Sequence, residues 1–168
     1  MEDIEKIKED LKQILSERRY EHSIGVMNMA EELAKIYKVD IEIAKIAGLL
    51  HDNAKEMTKE EMFKYVEENN IEITEFEKLN VPILHGKIGA DIAKKKYGVS
   101  EQIAKAIEYH TTTSPKMDTL AKIIYVSDKV ELTRKSEKFD IEPERKLARI
   151  DLDKAVLLII NNTTKYLI

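Results

Sequence analysis

His22, His51, His85 and His110 are all the histidines in the chain, and each lies in a stripe of small or apolar residues at helical spacing. His22 shares its stripe with Val26, Met29, Ala30, Leu33 and Tyr37, and His51 follows Ala44, Ala47 and Gly48. His85 precedes Ile88, Gly89 and Ile92, and His110 follows Ile103, Ala106 and Ile107. Asp128 follows Ala121, Ile124 and Tyr125 in the same manner. Residues three, four and seven apart share one face of an α-helix, so these polar side chains point inward. One such histidine is ordinarily a packed, hydrogen-bonded core residue. Four on separate helices, with an inward carboxylate, form a costly buried polar set unless they share a partner. The chain is therefore expected to fold so that these helix faces meet.

Composition agrees with an all-α bundle. Only five Gly and three Pro interrupt 168 residues, and Ala, Leu, Ile, Glu and Lys, mostly good helix formers, dominate. That length suits one domain with a sizeable core. Hydrophobic residues make up 43% and charged residues 36%, which excludes a disordered chain. There is no cysteine, so disulfides, thiolate metal sites and cysteine nucleophiles are ruled out. No apolar run is long enough to span a bilayer, and the start MEDIEKIKED is not a signal peptide, so a cytoplasmic protein without membrane attachment is expected. The net charge of −4 argues against a nucleic-acid-binding module. A polyanionic ligand would need its charge met locally, by metal ions or a few placed Lys and Arg.

The pattern predicts a first helix through Ile4, Ile7, Leu11, Ile14 and Leu15, and a second through Val26 to Tyr37. Asp40 is placed to cap a third that runs to His51. Thr58 to Glu61 has capping-box form and opens a fourth. Pro82 suits the first turn of the next helix, and Gly98 lies just past its end near Tyr97. Ser100 caps a short helix ending near His110, Asp118 caps another, and residues 136–143 read as a polar loop before a last helix in DLDKAVLLIINN.

Imidazole and carboxylate donors without thiolate suit iron, manganese, zinc or similar divalent ions, and helical bundles build such sites from facing helices. Neighbouring helical residues diverge by about 100°. Asp52 beside His51 can therefore bind one ion and reach a second, with His85 and His110 on its far side.

His22, His51-Asp52 and Asp128, in that order, resemble the HD phosphohydrolase superfamily. The stretches RRYEHSIGVMNMA (18–30), LLHDNAK (49–55), LHGKIGA (84–90), IEYHTT (107–112) and IYVSDKVE (124–131) are similar, in register, to its YqeK family. The resemblance implies a single HD-type domain over 1–168, with a motif-bearing core of about 18–134. It implies symmetrical hydrolysis of dinucleoside tetraphosphates, diadenosine tetraphosphate giving two ADP, by metal-activated water and with iron, one or two ions, in the site. His22, His51, Asp52 and Asp128 become metal ligands, and His85 and His110 hold a second metal or substrate phosphate. Arg19, Asn53, Lys55, Thr111 and Arg134 join them in binding substrate. Asp52, Lys55, His85 and His110 carry the catalytic expectation. Bland readings remain for Arg19, Lys55 and Arg134 as surface charges and for Thr111 as a turn residue. Two stretches depart from the family: Glu131-Leu132-Thr133-Arg134 replaces Glu-Pro-x-Arg, and HTTTSP lacks a glycine after the two threonines. The expected partner is a small dinucleoside polyphosphate; a homodimer stays open. Manganese is the alternative metal. Other readings are an HD phosphohydrolase for a nucleoside monophosphate or cyclic dinucleotide, a di-iron oxygenase, and a non-catalytic nucleotide-sensing module.

Overall fold

Helix ends in this chain are set by side chains that the sequence places one at a time. In a computed structural model describing residues 3–134 and 140–167, Asp3 caps α1 (Ile4–Ile14) and Ser16 caps α2 (Glu17–Tyr37), each accepting from a first-turn N–H. Asp40 caps α3 (Ile41–Leu50), and Thr58 with Glu61 closes a capping box on α4 (Lys59–Glu68). A second capping box, Thr74 with Glu77, opens the five-residue α5 (Glu75–Leu79). Pro82 falls in a 3-10 turn, Val81–Ile83, which leads into α6 (Leu84–Tyr97). Gly98 ends α6 with φ 61°, a left-handed conformation that glycine adopts without steric cost. Ser100 caps α7 (Glu101–Tyr109) and Asp118 caps α8 (Thr119–Val130). Then follow α9 (Glu142–Ile150) and α10 (Leu152–Leu167). The described residues form no β-strand, and no helix among them is long and apolar enough to cross a membrane.

Two helices escape the periodicity. The capping box of α5 is present in the sequence, but five residues are too few for an apolar stripe. Of the expected loop over 136–143, residues 136–139 lie outside the described residues, Asp140 and Ile141 are non-helical, and Glu142 and Pro143 instead open a helix. That helix buries Glu144, Arg145 and Ala148, so its inward face reads as polar.

The apolar residues divide into two clusters. The larger joins α1, α2, α3, α7, α8 and α10 through Leu11, Leu33, Leu49, Leu50, Ile107, Ile124 and Ile159, all buried. The smaller packs Ala54 with Met62, Val66, Val81, Leu84 and Ile88 from α4, the 3-10 turn and α6. Leu49 and Leu50 thus belong to one core and Ala54 to the other, and His51, Asp52 and Asn53 bridge the seam between them.

Gly48 sets how closely α2 and α3 approach. A Cβ there would lie 3.1 Å from Met27 Cα and 3.1 Å from the Val26 carbonyl oxygen, backbone atoms that cannot swing aside as a side chain would. Gly48→Val should lower stability by roughly 1–3 kcal/mol, the usual cost of overpacking, read from denaturant unfolding. An unchanged midpoint would mean that the helices part freely.

Candidate metal centre

Each histidine is oriented through its Nδ1. His51 follows the last residue of α3 and donates Nδ1–H to the Gly48 carbonyl at 2.7 Å. His110 holds the same position after α7 and donates to Ile107 O at 2.6 Å. His85, in the first turn of α6, donates to Pro82 O at 2.6 Å. Carbonyls in the last turn of a helix have no i+4 amide partner, so His51 and His110 serve the ends of α3 and α7 while the backbone fixes their rings. A carbonyl only accepts, hence Nδ1 carries the proton and Nε2 presents a lone pair. His22, inside α2, instead faces two carboxylates, Glu131 Oε2 from Nδ1 at 2.7 Å and Asp128 Oδ1 from Nε2 at 2.8 Å.

The Nε2 atoms converge on Asp52. Ligand atoms of His22, His51, Asp52 and Asp128 lie within 4.8 Å of one another, and those of Asp52, His85 and His110 form a second set on the same criterion. Asp52 divides its oxygens between the sets. Its Oδ2 is 3.3 Å from His51 Nε2 and 3.7 Å from His22 Nε2, and its Oδ1 is 3.3 Å from His85 Nε2 and 3.2 Å from His110 Nε2.

Three atoms test whether these residues fit a cation. His51 Nε2 is fully buried and lacks a hydrogen-bond partner; Asp52 Oδ2 and Asp128 Oδ1, each 3.3 Å away, are ionic neighbours without hydrogen-bond geometry. His85 Nε2 and His110 Nε2 stand 3.0 Å apart, although both rings have given their Nδ1 protons to the backbone. Facing lone pairs repel unless a positive charge joins them. The donor set and these three atoms together make a buried His/Asp site suited to a divalent metal.

The electrostatics give the same sign. Burial opposes ionisation of Asp52 and Asp128, yet His51 and the other imidazoles around them hold both carboxyls well below the usual range. Burial also opposes charge on His51, but the Asp52 and Asp128 carboxylates outweigh it and push its pKa up to about 10. His110 moves the other way, because burial and the neighbouring His51 charge outweigh Asp52. Two buried carboxylates that stay ionised require positive charge beside them, which a divalent ion would supply.

Asp52, His85, His110 and Asp128 form the floor of a cavity of about 320 Å³, with His51 buried beneath it. Arg19, Lys55, Lys129 and Arg134 line it with positive charge, and Pro82 and Ile83 supply an apolar wall. Arg19 donates to Asp52 Oδ2 at 2.9 Å, and Arg134 donates through Nε to the Asp128 carbonyl at 3.0 Å. Thr111 lines the cavity and donates its hydroxyl to Glu108 O. Arg19 and Arg134 also border an adjoining cavity of about 240 Å³, together with Arg18, Glu131 and Thr133. Asn53 lies apart from both cavities. Its Nδ2 donates to Leu50 O and Gly89 O, which ties the end of α3 to α6.

Lys129, Arg18, Glu131 and Thr133 border the site without having been singled out from the sequence. Glu131 carries a usable signal, since it lies one turn beyond Asp128 on the same stripe. Lys129 and Arg18 offer none beyond standing next to Asp128 and Arg19.

The family profile for the HD domain matches residues 19–133. The symmetrical bis(5'-nucleosyl)-tetraphosphatase of Bacillus subtilis (strain 168) is 39% identical over 158 residues, covering 94% of this chain and 83% of that protein. Its counterpart in Staphylococcus aureus (strain NCTC 8325 / PS 47) is 33% identical over 166 residues, 98% of this chain and 85% of that protein. A crystal structure of a predicted HD superfamily hydrolase involved in NAD metabolism, from Clostridium acetobutylicum, superposes with a TM-score of 0.93 at 41% identity. It covers 99% of this chain and 87% of that one. A profile spanning most of the chain, together with relatives matched over more than four fifths of their own length, means that this protein belongs to the HD-domain family.

Proposed function

We propose that this protein hydrolyses dinucleoside tetraphosphates symmetrically, diadenosine tetraphosphate and water giving two ADP. The observation that carries the reading is a buried His/Asp cluster opening into a cavity ringed by Arg19, Lys55, Lys129 and Arg134. Relatives named for this activity, matched over 83% and 85% of their own length, support it. The positive rim explains how a chain of net charge −4 can take a polyanion, and it disfavours a di-iron oxygenase, whose organic substrate would have no use for four cations.

His22, His51, Asp52 and Asp128 would hold one divalent ion, and Asp52 with His85 and His110 would hold a second. We assign iron as the resident metal, with manganese able to substitute, because neutral imidazole and carboxylate donors suit both. A bound divalent ion lowers the pKa of water from 15.7 toward about 7 and neutralises charge on phosphoryl oxygens.

The protein's own groups do the rest. Water adds to the second phosphorus from one nucleoside, and that phosphorus releases the bridging oxygen, which leaves on the other nucleoside diphosphate. Asp52 orients the water. Lys55, which makes no ion pair among the described residues, is free to meet a phosphoryl oxygen, and Arg19, Lys129 and Arg134 stabilise the remaining charge. Burial disfavours the protonated form of His110, so its Nε2 suits holding a cation better than donating a proton. Thr111 contacts phosphate at the cavity edge.

The name of the Clostridium structure, involved in NAD metabolism, keeps hydrolysis of another nucleotide as a second reading. Product analysis separates the two: ADP alone supports symmetrical cleavage, whereas AMP or adenosine overturns it. His51→Ala and Asp52→Ala should lose metal and hydrolysis together while far-ultraviolet helicity persists, and full activity in metal-free His51→Ala protein would contradict the mechanism. Lys55→Ala should keep its metal and lose roughly 100-fold in kcat, the scale expected for one transition-state donor. Wild-type turnover there would remove Lys55 from the reaction.

A further inference from the structure

We propose that Glu131 is a positioning residue for the metal centre: its buried carboxylate accepts the Nδ1–H of His22 and thereby turns His22 Nε2 toward Asp52 and Asp128. This rests on the reading of His22 as a metal ligand.

Three observations carry it. His22 differs from the other histidines in having no backbone carbonyl to hold its Nδ1; Glu131 Oε2, at 2.7 Å, is its partner instead. The carboxylate is itself held. Glu131 is 1% exposed and accepts from the Thr133 backbone N–H and, at 2.7 Å, from the Thr133 hydroxyl. The backbone beneath it is clamped as well. Arg145 from α9 donates to Val130 O at 2.7 Å and to Glu131 O at 3.0 Å, capping the carbonyl end of α8. The third observation comes from the opposite side. A Cβ on Gly25, one turn beyond His22 on α2, would lie 2.5 Å from Glu131 Oε1 and 2.8 Å from its Cδ. The α2 surface therefore leaves a notch into which the carboxylate fits.

A ligating imidazole whose other nitrogen donates to a carboxylate is fixed in tautomer and ring plane and made more basic. A carboxylate that only stabilised the fold would leave metal affinity unchanged in protein that remains folded. The two roles therefore separate by measurement.

Manganese(II) binding to the purified chain is measured by calorimetry, and the His22 Nδ1 proton is followed by ¹⁵N spectra of zinc-loaded protein. Glu131→Ala should weaken manganese binding by roughly 10- to 100-fold, the usual cost of losing such a partner, and should lose the Nδ1 signature. Glu131→Gln keeps an oxygen acceptor and should recover most of the affinity. Gly25→Ala should weaken binding with Glu131 still present, because the added methyl displaces the carboxylate, and it serves if Glu131→Ala fails to fold. Wild-type affinity in folded Glu131→Ala and Gly25→Ala, or equal losses in the Ala and Gln variants, would overturn the role. Should the wild-type protein bind manganese without splitting diadenosine tetraphosphate, the proposed function falls, and the binding series still decides the place of Glu131.

Discussion

Asp52 is the contact on which the arrangement turns. Its two oxygens face different imidazole pairs, His22 with His51 and His85 with His110, so one short side chain ties four helices to one point. Such a carboxylate, 3% exposed, is sustained only by compensating positive charge. The surrounding groups answer that demand locally. Arg19 reaches it from α2, His51 is driven toward the protonated form, and the Nε2 atoms of two further histidines meet beside it. The site is a charge-balance problem solved by helix ends.

The position of Asp52 follows from the packing around it. Leu49 and Leu50 anchor the preceding turn in the larger core, and Ala54 anchors the following turn in the smaller one. Asn53 adds a bond to Gly89 O on α6. Between these anchors the chain cannot rotate His51 and Asp52 out of the seam without uncovering apolar surface on one side or the other. Gly48 contributes the close approach of α3 to α2 and also the carbonyl that orients His51.

Much of this is legible in the sequence because helical spacing makes one-dimensional order into a shared face. The stripes that carry His22, His51, His85, His110 and Asp128 run along α2, α3, α6, α7 and α8, and the structure brings these five residues to one place. The caps at Asp40, Thr58, Ser100 and Asp118 are equally local and lie where their residue types imply. What stays hidden is what depends on distant partners. The α9 helix buries Glu144 and Arg145, whose polarity masks its inward face, and the tie between Glu131 and His22 spans 109 residues. Asn53 shows the opposite effect. It stands beside two ligand-type residues yet points into the α3–α6 contact, because the turn that follows Leu50 sends successive side chains in different directions.

The three histidines tied to backbone carbonyls, and the fourth tied to Glu131, have a thermodynamic consequence. Each ring is already immobilised by its Nδ1 bond, so its rotamer entropy is lost during folding rather than on capture of an ion. These bonds come from the helices' own carbonyls and from Glu131, so the direction of each Nε2 is set by contacts within the bundle.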